Sequence, residues 1–222
     1  VEFGYGTGKW TAGGAHVNTT GEEQHRNVLE LDQDAMRRVP PDGSKHTWEI
    51  RYDPNGGAHK AGAITLVFDG VASVCNLPRG HREQGATFDR FGIFNNQLAG
   101  DFLEAYFDDI TINGAKDDFS ADPNWDGQGN RGLVEDTREY GAQDYGFSAT
   151  THHAGGSRPG ELGGRFQSVD PWEEQFQGYY GDRVGRLTLE HKLVARGKFS
   201  SDNEFSIDST FALGWFSSTQ RG

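Results

Sequence analysis

A glycine-rich stretch, "TTHHAGGSRPGELGG", carries side chains that could take part in acid–base chemistry. His153 offers an imidazole, Arg158 a guanidinium and Glu161 a carboxylate within one short segment. Glycine and proline predict a loop here, and a loop can bring the three groups together at one pocket. His153 and Glu161 are therefore the catalytic candidates of the chain. The alternative is a structural role, in which Glu161 accepts hydrogen bonds from backbone amides of the glycine turn.

Two adjacent carboxylates, Asp108 and Asp109, close the segment "FLEAYFDDITI". In a strand, successive side chains point to opposite faces, so this pair should not act together as acid and base. Glu104 shares a face with Asp108, but about 13 Å of strand separates them, more than the roughly 5 to 9.5 Å that glycoside hydrolysis uses. A calcium ion is the second hypothesis for the pair, because Ca²⁺ prefers carboxylate and carbonyl oxygens. The alternative is a solvated strand end or a pair that caps a loop.

A second acidic stretch, "DPNWDGQGNR", has Asp122, Asn124 and Asp126 spaced like the opening of an EF-hand calcium loop. The twelfth position of that loop should be a glutamate, and here it is Leu133. The calcium signature is broken, so an Asx-rich turn is the favoured interpretation.

Aromatic rings outside the core are candidates for sugar binding, because a flat ring stacks on the C–H face of a pyranose. Trp48 and Trp215 fall in strand-like segments, which predicts positions in the core. Packing beneath its own loop is the alternative for each loop tryptophan. The candidates in predicted loops are Trp10, Trp125, Trp172, Tyr179 and Tyr180, and His153, Arg158 and Glu161 would add polar contacts to a ligand.

The segments that position these candidate side chains have the sequence patterns of β-strands. "HTWEIRYDPNGG" alternates so that Trp48, Ile50 and Tyr52 share one face, as in a half-buried strand. Apolar runs flank Asp69-Gly70, and this dipeptide predicts a two-residue type I′ hairpin.

Further strands are predicted in "FDRFGIFN" and in "DFLEAYFDDITI", and the second ends at Asn113-Gly114. Long loops rich in Gly, Asp and Asn follow, before "GRLTLEHKLVARGKFSS" and "FSIDSTFALGWFSS" return to strand patterns. Helical spacing is plausible only in "NVLELDQDAMRR", which could equally be a surface loop.

Composition excludes several classes of function. The formal net charge of −12 over 222 residues repels phosphate backbones, so nucleic acid is not an expected partner. The sequence contains no run of eighteen apolar residues, so no membrane-spanning helix is predicted. The single cysteine, Cys75, is predicted to be a buried inert thiol.

Four basic residues could form a local anion site: Arg79, His81, Arg82 and Arg90. The favoured interpretation is a charged hairpin that keeps a sheet edge from pairing with a neighbour.

Several short sequence motifs occur together in one known family: "KWTAGG", "DGSKHTWEIRYDP", "GATFDRFGIFN", "YFDDITING", "DFSADPNWDGQGNR", "YGFSATTHHAGG" and "GELGG". In combination they resemble large exported bacterial proteins built from repeated concanavalin A-like modules. The resemblance implies an all-β fold, a jelly-roll β-sandwich of two antiparallel sheets with long Gly/Asp-rich loops. It also implies an extracellular or cell-surface location.

These motifs occur in a different order from the order in the family. Residues 1–113 resemble a closing half-module and residues 114–222 an opening half-module. We expect one β-sandwich domain over 1–222, because two half-modules would each expose sheet edges; the alternative is a piece that bridges two consecutive modules. The resemblance further implies a recurring His and Glu, matching His153 and Glu161, and a structural Ca²⁺ on a last-strand aspartate such as Asp108 or Asp109.

Three functions are consistent with these patterns. The first is a non-catalytic carbohydrate-binding or adhesion module of a larger exported protein, with a polysaccharide or other glycan as partner. The second is a polysaccharide-active enzyme, a glycosidase or lyase, with candidates His153, Glu161, Tyr106 and Glu104, since one fold hosts both functions. The third is a structural repeat that contacts neighbouring repeats of the same protein in a surface layer or filament.

Overall fold

The structure is a computed structural model, and it describes the chain in separate ranges. These are 41–57, 59–77, 79–80, 82–95, 102–135, 140–167, 178–204 and 211–218, together with the backbone of four short strands within 2–28. Seventeen strands and one three-residue 3₁₀ turn, Arg82–Gln84, make up the described regular structure. The predicted all-β class is confirmed.

The strands are numbered in chain order. Their bounds are β1 Glu2–Gly4, β2 Lys9–Trp10, β3 His16–Val17, β4 Arg26–Val28, β5 Lys45–Asp53, β6 Ala63–Phe68, β7 Val71–Asn76, β8 Thr87–Asn95, β9 Phe102–Ile112, β10 Ala115–Asp117, β11 Asp126–Gln128, β12 Arg131–Glu135, β13 Tyr140–Ser148, β14 Glu161–Gln167, β15 Tyr179–Thr188, β16 Leu193–Glu204 and β17 Phe211–Phe216.

Two antiparallel sheets contain most of these strands. The large sheet has nine strands in the order β12-β13-β14-β9-β16-β5-β6-β7, with β10 paired to β9. The small sheet has four strands in the order β11-β15-β8-β17. Both sheets combine strands from 1–113 with strands from 114–222, since β16 lies between β9 and β5, and β8 lies between β15 and β17.

Aromatic rings join the two sheets into one core. Phe91 of the small sheet lies between Trp48 and Trp215, with ring centroids 6.5 Å and 4.9 Å away. Phe211 packs in the same way on Phe107 of the large sheet, at 5.5 Å. The prediction of Trp48 and Trp215 as core residues is confirmed, although Trp215 is only partly buried.

The local predictions for β5, for the β6–β7 turn and for Cys75 are confirmed. Trp48 and Tyr52 of β5 are buried, as the alternating pattern requires. Asp69 and Gly70 have φ of 48° and 80°, as a type I′ turn requires, and they join β6 to β7 with Phe68 opposite Val71. Cys75 is buried, as predicted. The possible helix in "NVLELDQDAMRR" lies outside the described residues, except that its first two belong to β4.

The β6–β7 turn allows a test of backbone strain without steric overlap. A Cβ added at Gly70 would meet no atom within 4 Å, so Gly70→Ala introduces only an unfavourable positive φ. We expect it to lower the free energy of unfolding by about 1 to 2 kcal/mol in urea denaturation. Gly214→Ala is the matched control, because Gly214 has equal space and no positive φ. That substitution should leave stability unchanged or raise it by up to about 1 kcal/mol; equal losses for both would contradict the turn assignment.

Candidate functional site

The segment 149–160, which we call the strap, connects β13 to β14 and lies on the outer face of the large sheet. Tyr106 of β9 points to this face, because its neighbours Ala105 and Phe107 are buried in the core. The His153 ring of the strap stacks on Tyr106, with centroids 3.9 Å apart and planes within 9°. The strap thus covers the centre of the large sheet.

The imidazole of His153 is held by a carboxylate from a third element. Its Nδ1 pairs with Oδ2 of Asp202 on β16, while Oδ1 of Asp202 accepts a hydrogen bond of 3.0 Å from the Ser200 hydroxyl. Because the carboxylate accepts at Nδ1, Nε2 is the nitrogen that can take up a proton. Burial raises the pKa of Tyr106, beneath the ring, to about 12, so its hydroxyl stays protonated at neutral pH.

Glu161 caps the strap from below. It is 0% exposed, and its two oxygens accept hydrogen bonds from the backbone amides of His153 and Ala154, each 2.8 Å long. Glu161 therefore has the structural role considered above, in which it accepts hydrogen bonds from backbone amides of the glycine turn. Arg158 is exposed, and its positive charge acts on Asp118.

The prediction that Asp108 and Asp109 point to opposite faces is wrong, because β9 contains a bulge. Thr111 faces Arg196 and Asp108 faces Lys198, so a three-residue step on β9 is opposite a two-residue step on β16. Asp109 has the positive φ, 51°, that absorbs the extra residue. Both carboxylates consequently lie on the strap side of the sheet.

Each of the two carboxylates contacts the strap in a different way. Asp109 pairs with Lys198 at 2.7 Å, and the Lys198 ammonium also donates to the Gly155 carbonyl at 2.9 Å. Asp108 is 0% exposed and lies directly against Gly156. Its Oδ1 accepts a hydrogen bond of 2.6 Å from the Asp109 amide, and Oδ2 lies against the backbone of Gly156, whose amide also acts on this carboxylate as a hydrogen-bond donor. Burial raises the pKa of Asp108 to about 6, and the charges of Asp109 and Glu161 act in the same direction.

The residues at Asp108 and Asp109 fit a calcium ion poorly. Two ammonium groups already neutralise Asp109, since Lys116 lies 2.9 Å from its other oxygen. Burial opposes ionisation of Asp109, but the hydrogen bonds from Lys198 and Lys116 lower its pKa. Across the described ranges, no group of three or more His, Cys, Asp or Glu residues could hold a metal ion.

The second calcium candidate, the stretch that contains Asp122 and Asp126, forms an Asx turn. This agrees with the prediction, which rested on Leu133 at the position where a calcium loop has glutamate. Oδ1 of Asp122 accepts a hydrogen bond of 2.8 Å from the Asn124 amide. Asp126 is paired with guanidinium groups, with Oδ2 2.8 Å from Arg90 and 2.6 Å from Arg183.

Among the aromatic candidates, Trp125 packs beneath its own loop. Its ring meets Phe119 at 5.7 Å and Tyr180 at 5.9 Å, on the side of the core. Trp172 and the side chain of Trp10 lie outside the described residues, although the Trp10 backbone belongs to β2. Tyr179 and Tyr180 were expected in a loop and instead begin β15, because alternation carries Tyr180 inward and Tyr179 outward.

Tyr179 belongs to a ring cluster on the outer face of the small sheet, which we call the aromatic face. Its ring contacts Phe216 at 5.3 Å, and Phe216 contacts Phe94 at 5.1 Å. All three are partly exposed, and of the described β17 residues it is Phe211, Leu213 and Trp215 that pack on the core. The alternation of "FALGWF" could have predicted that Phe216 faces outward, and sequence reasoning missed both phenylalanines.

The aromatic face has a row of glycines beneath it and a charged rim. Gly181, Gly92 and Gly214 are aligned across the three strands; the first two are buried, and the Phe216 ring lies over Gly181. The rim is the ion-pair cluster in which Asp126 binds Arg90 and Arg183, and hydrogen bonds from Arg183 lower the pKa of Asp126.

The basic residues considered for a local anion site do not all converge. Arg82 donates to the Pro54 carbonyl at 2.6 Å and lies 3.3 Å from Glu190. Arg90 instead pairs with Asp89 and Asp126. The two cations are engaged separately, and His81 lies outside the described residues.

Substitution of Glu161 distinguishes capping from acid–base chemistry. Glu161→Gln places an amide NH₂ against one of two backbone N–H groups, leaving a buried donor unpaired. We expect it to lower the free energy of unfolding by about 1 to 3 kcal/mol in urea denaturation. Glu83→Gln, at an exposed position, is the control and should change stability by less than about 0.5 kcal/mol. Wild-type stability in Glu161→Gln would show that the two hydrogen bonds do not secure the strap.

Comparison of the chain with models of known protein families, with curated proteins and with solved structures found no match. Within the described residues, no helix has the length and apolar character needed to cross a membrane.

Proposed function

We propose that the chain is a non-catalytic carbohydrate-binding or adhesion module of a larger exported protein, built as a concanavalin A-like jelly-roll sandwich. The observation that carries this proposal is the aromatic face. Three rings on the outer side of a sheet are in mutual contact at 5.1 and 5.3 Å, and they turn away from the core. A monomeric domain usually buries such rings, so a cluster of them at the surface favours a binding role.

The chemistry of the aromatic face suits a glycan. Pyranose rings present C–H faces that stack on aromatic rings, and hydroxyl groups that need donors and acceptors nearby. Tyr179 combines a ring with a hydroxyl, and Arg183, whose side chain is 73% exposed, offers guanidinium donors at the rim.

The strap cluster supports binding over hydrolysis. Hydrolysis of a glycosidic bond needs two carboxyl groups that can reach the substrate. Here both oxygens of Glu161 bind backbone amides, both oxygens of Asp202 are engaged, and Asp108 is 0% exposed. These three carboxyls are occupied in holding the strap.

A polysaccharide-active enzyme is the second candidate, and one observation favours it. His153 lies on Tyr106 with its side chain 36% exposed, and Asp202 orients its imidazole. An oriented histidine beside a tyrosine can abstract and return protons, as a lyase requires. This alternative places the chemistry on the large sheet, opposite to the aromatic face.

Binding to a panel of polysaccharides, by glycan array and affinity electrophoresis, tests the proposal. Tyr179→Ala and Phe216→Ala should each weaken retention about 3- to 10-fold, the equivalent of roughly 0.5 to 1.5 kcal/mol for one aromatic contact. Phe102→Ala is the matched control, because this partly exposed phenylalanine belongs to the large sheet. Wild-type retention is expected for the control.

The same panel separates the two candidate functions. Release of unsaturated or reducing sugars that disappears in His153→Gln, with His152→Gln as control on the same loop, would favour the enzyme. Uniform absence of binding by the wild-type chain would contradict the carbohydrate-binding proposal.

A further inference from the structure

A cavity of about 390 Å³ lies at one end of the small sheet, where β8 begins and β15 ends. Thr87 and Thr188 are directly opposite each other at this end, so their side chains share a face of the sheet, and both line the cavity. Leu189, which is buried, and Ala86, which packs against the core, add an apolar part to the lining. Small-molecule sites have volumes of roughly 300 to 1,000 Å³ and a similar mixture of apolar and polar groups. The cavity therefore has the size and the lining of a ligand site.

The wall formed by the turn after β15 is held in place by a contact with the large sheet. The hydroxyl of Tyr52, on β5, donates a hydrogen bond of 2.9 Å to the Leu189 carbonyl. Burial raises the pKa of Tyr52 to about 12, so this hydroxyl remains a donor at neutral pH. Within the turn, the His191 amide donates to the Thr188 carbonyl at 3.0 Å. This wall is preformed, so a ligand does not have to order it.

The opposite wall carries Arg82, whose position is fixed by the 3₁₀ turn and by Pro54. The Gly85 amide closes the turn by donating to the Arg82 carbonyl at 3.1 Å. The Arg82 guanidinium donates to the Pro54 carbonyl at 2.6 Å, and its Nε lies 3.3 Å from Oε1 of Glu190. A guanidinium has five N–H donors, so these contacts leave donors for a ligand. Glu190, whose side chain is 70% exposed, offers carboxylate acceptors beside them.

The charges around the cavity favour a neutral ligand. The lining pairs the Arg82 guanidinium with the Glu190 carboxylate, so neither charge is in excess. The carboxylates of Glu83 and Asp53 act electrostatically on Tyr52 in the adjoining wall, and the whole chain carries a net charge of −12. An anionic ligand would be repelled by these carboxylates. A neutral ligand with hydroxyl groups can bond to both members of the pair, because each hydroxyl both donates and accepts.

We propose that this end cavity binds one neutral sugar unit of a glycan. Arg82, Glu190 and Thr87 bond to the hydroxyl groups of the sugar. Ala86 and Leu189 contact its C–H face, as the apolar lining of a small-molecule site does. The inference rests on the proposed function in one respect only, since it takes a glycan as the ligand.

The end cavity is separate from the aromatic face and adds a second point of contact. Phe94 of the aromatic face is seven positions after Thr87 on β8, which is a distance of up to about 23 Å along the strand. A polysaccharide that reaches both sites would bind more tightly than a single sugar at either one, because the second contact becomes intramolecular. The two sites can be tested one at a time with single sugars.

Titration of the ¹⁵N-labelled chain with the methyl glycosides of glucose, galactose and mannose, followed by NMR, tests the proposal. At least one glycoside should cause saturable shifts at the amides of Gly85, Thr87 and Leu189. The matching uronic acid glycoside should bind about 2- to 5-fold more weakly, because its carboxylate meets Glu190 at a solvent-exposed position. Glu190→Gln keeps an acceptor and removes the charge, so it should narrow this difference.

Two substitutions locate the binding in the cavity. Thr87→Val keeps the shape of the side chain and the strand, and it should weaken binding about 3- to 10-fold by removing one hydroxyl. Thr65→Val is the matched control, because Thr65 is a partly exposed threonine of β6, and it should bind like the wild type. Arg82→Gln should weaken binding about tenfold or more, whereas Arg186→Gln, at an exposed position of β15, should have no effect.

The outcomes separate this inference from the proposed function. Shifts confined to amides of the aromatic face, such as those of Gly92 and Gly181, would overturn the end cavity and leave the proposed function standing. Binding at the cavity that Thr87→Val does not weaken, tighter binding of the uronic acid glycoside, or no shifts with any glycoside would also overturn it. Saturable shifts at the cavity without shifts at the aromatic face would support the end cavity and count against the aromatic face as a glycan site.

Discussion

An extra residue in β9, at Asp109, turns two neighbouring carboxylates toward the same side of the large sheet. The strand pairs with β14, β16 and β10, so it runs through the middle of the sheet. Without the bulge, alternation would carry Asp109 toward the opposite face, where Phe107 and Ile110 are buried. With it, Asp109 binds two lysines and Asp108 is sealed beneath the strap. The arrangement of the outer face of the large sheet depends on this single irregularity.

The two outer faces of the sandwich have different chemistry for physical reasons. On the large sheet, a strap with backbone amides needs acceptors, and Glu161 provides both of them from the first position of β14. On the small sheet, the rings of Phe94, Tyr179 and Phe216 contact one another beside a row of glycines. The outer face of the large sheet is therefore polar and covered by the strap, whereas the outer face of the small sheet carries apolar rings.

Sequence reasoning succeeded where one local rule determines the structure. Alternation predicted the buried face of β5, and Asp69-Gly70 predicted the β6–β7 turn, because both depend only on neighbouring residues. The bulge was missed because an aspartate with positive φ is recognisable only once the register of β9 against β16 is known. Tyr179 was assigned to a loop because its neighbours are rich in Gly, Asp and Gln, and pairing with β8 overrides that composition. The pairing of His153 with Asp202, 49 positions away, could not be read from a motif at all.

The Asp108 carboxyl reports most directly on whether the bulge of β9 and the strap bury this side chain, because burial beneath the strap and the charge of Glu161 both raise its pKa. A pH titration of the aspartate side-chain carbons by NMR, with Asp108→Asn to assign the resonance, measures it directly. A midpoint near pH 6 is the predicted result. A midpoint at or below the ordinary value of 3.8 would show that Asp108 is hydrated or paired with a cation, and would contradict the account.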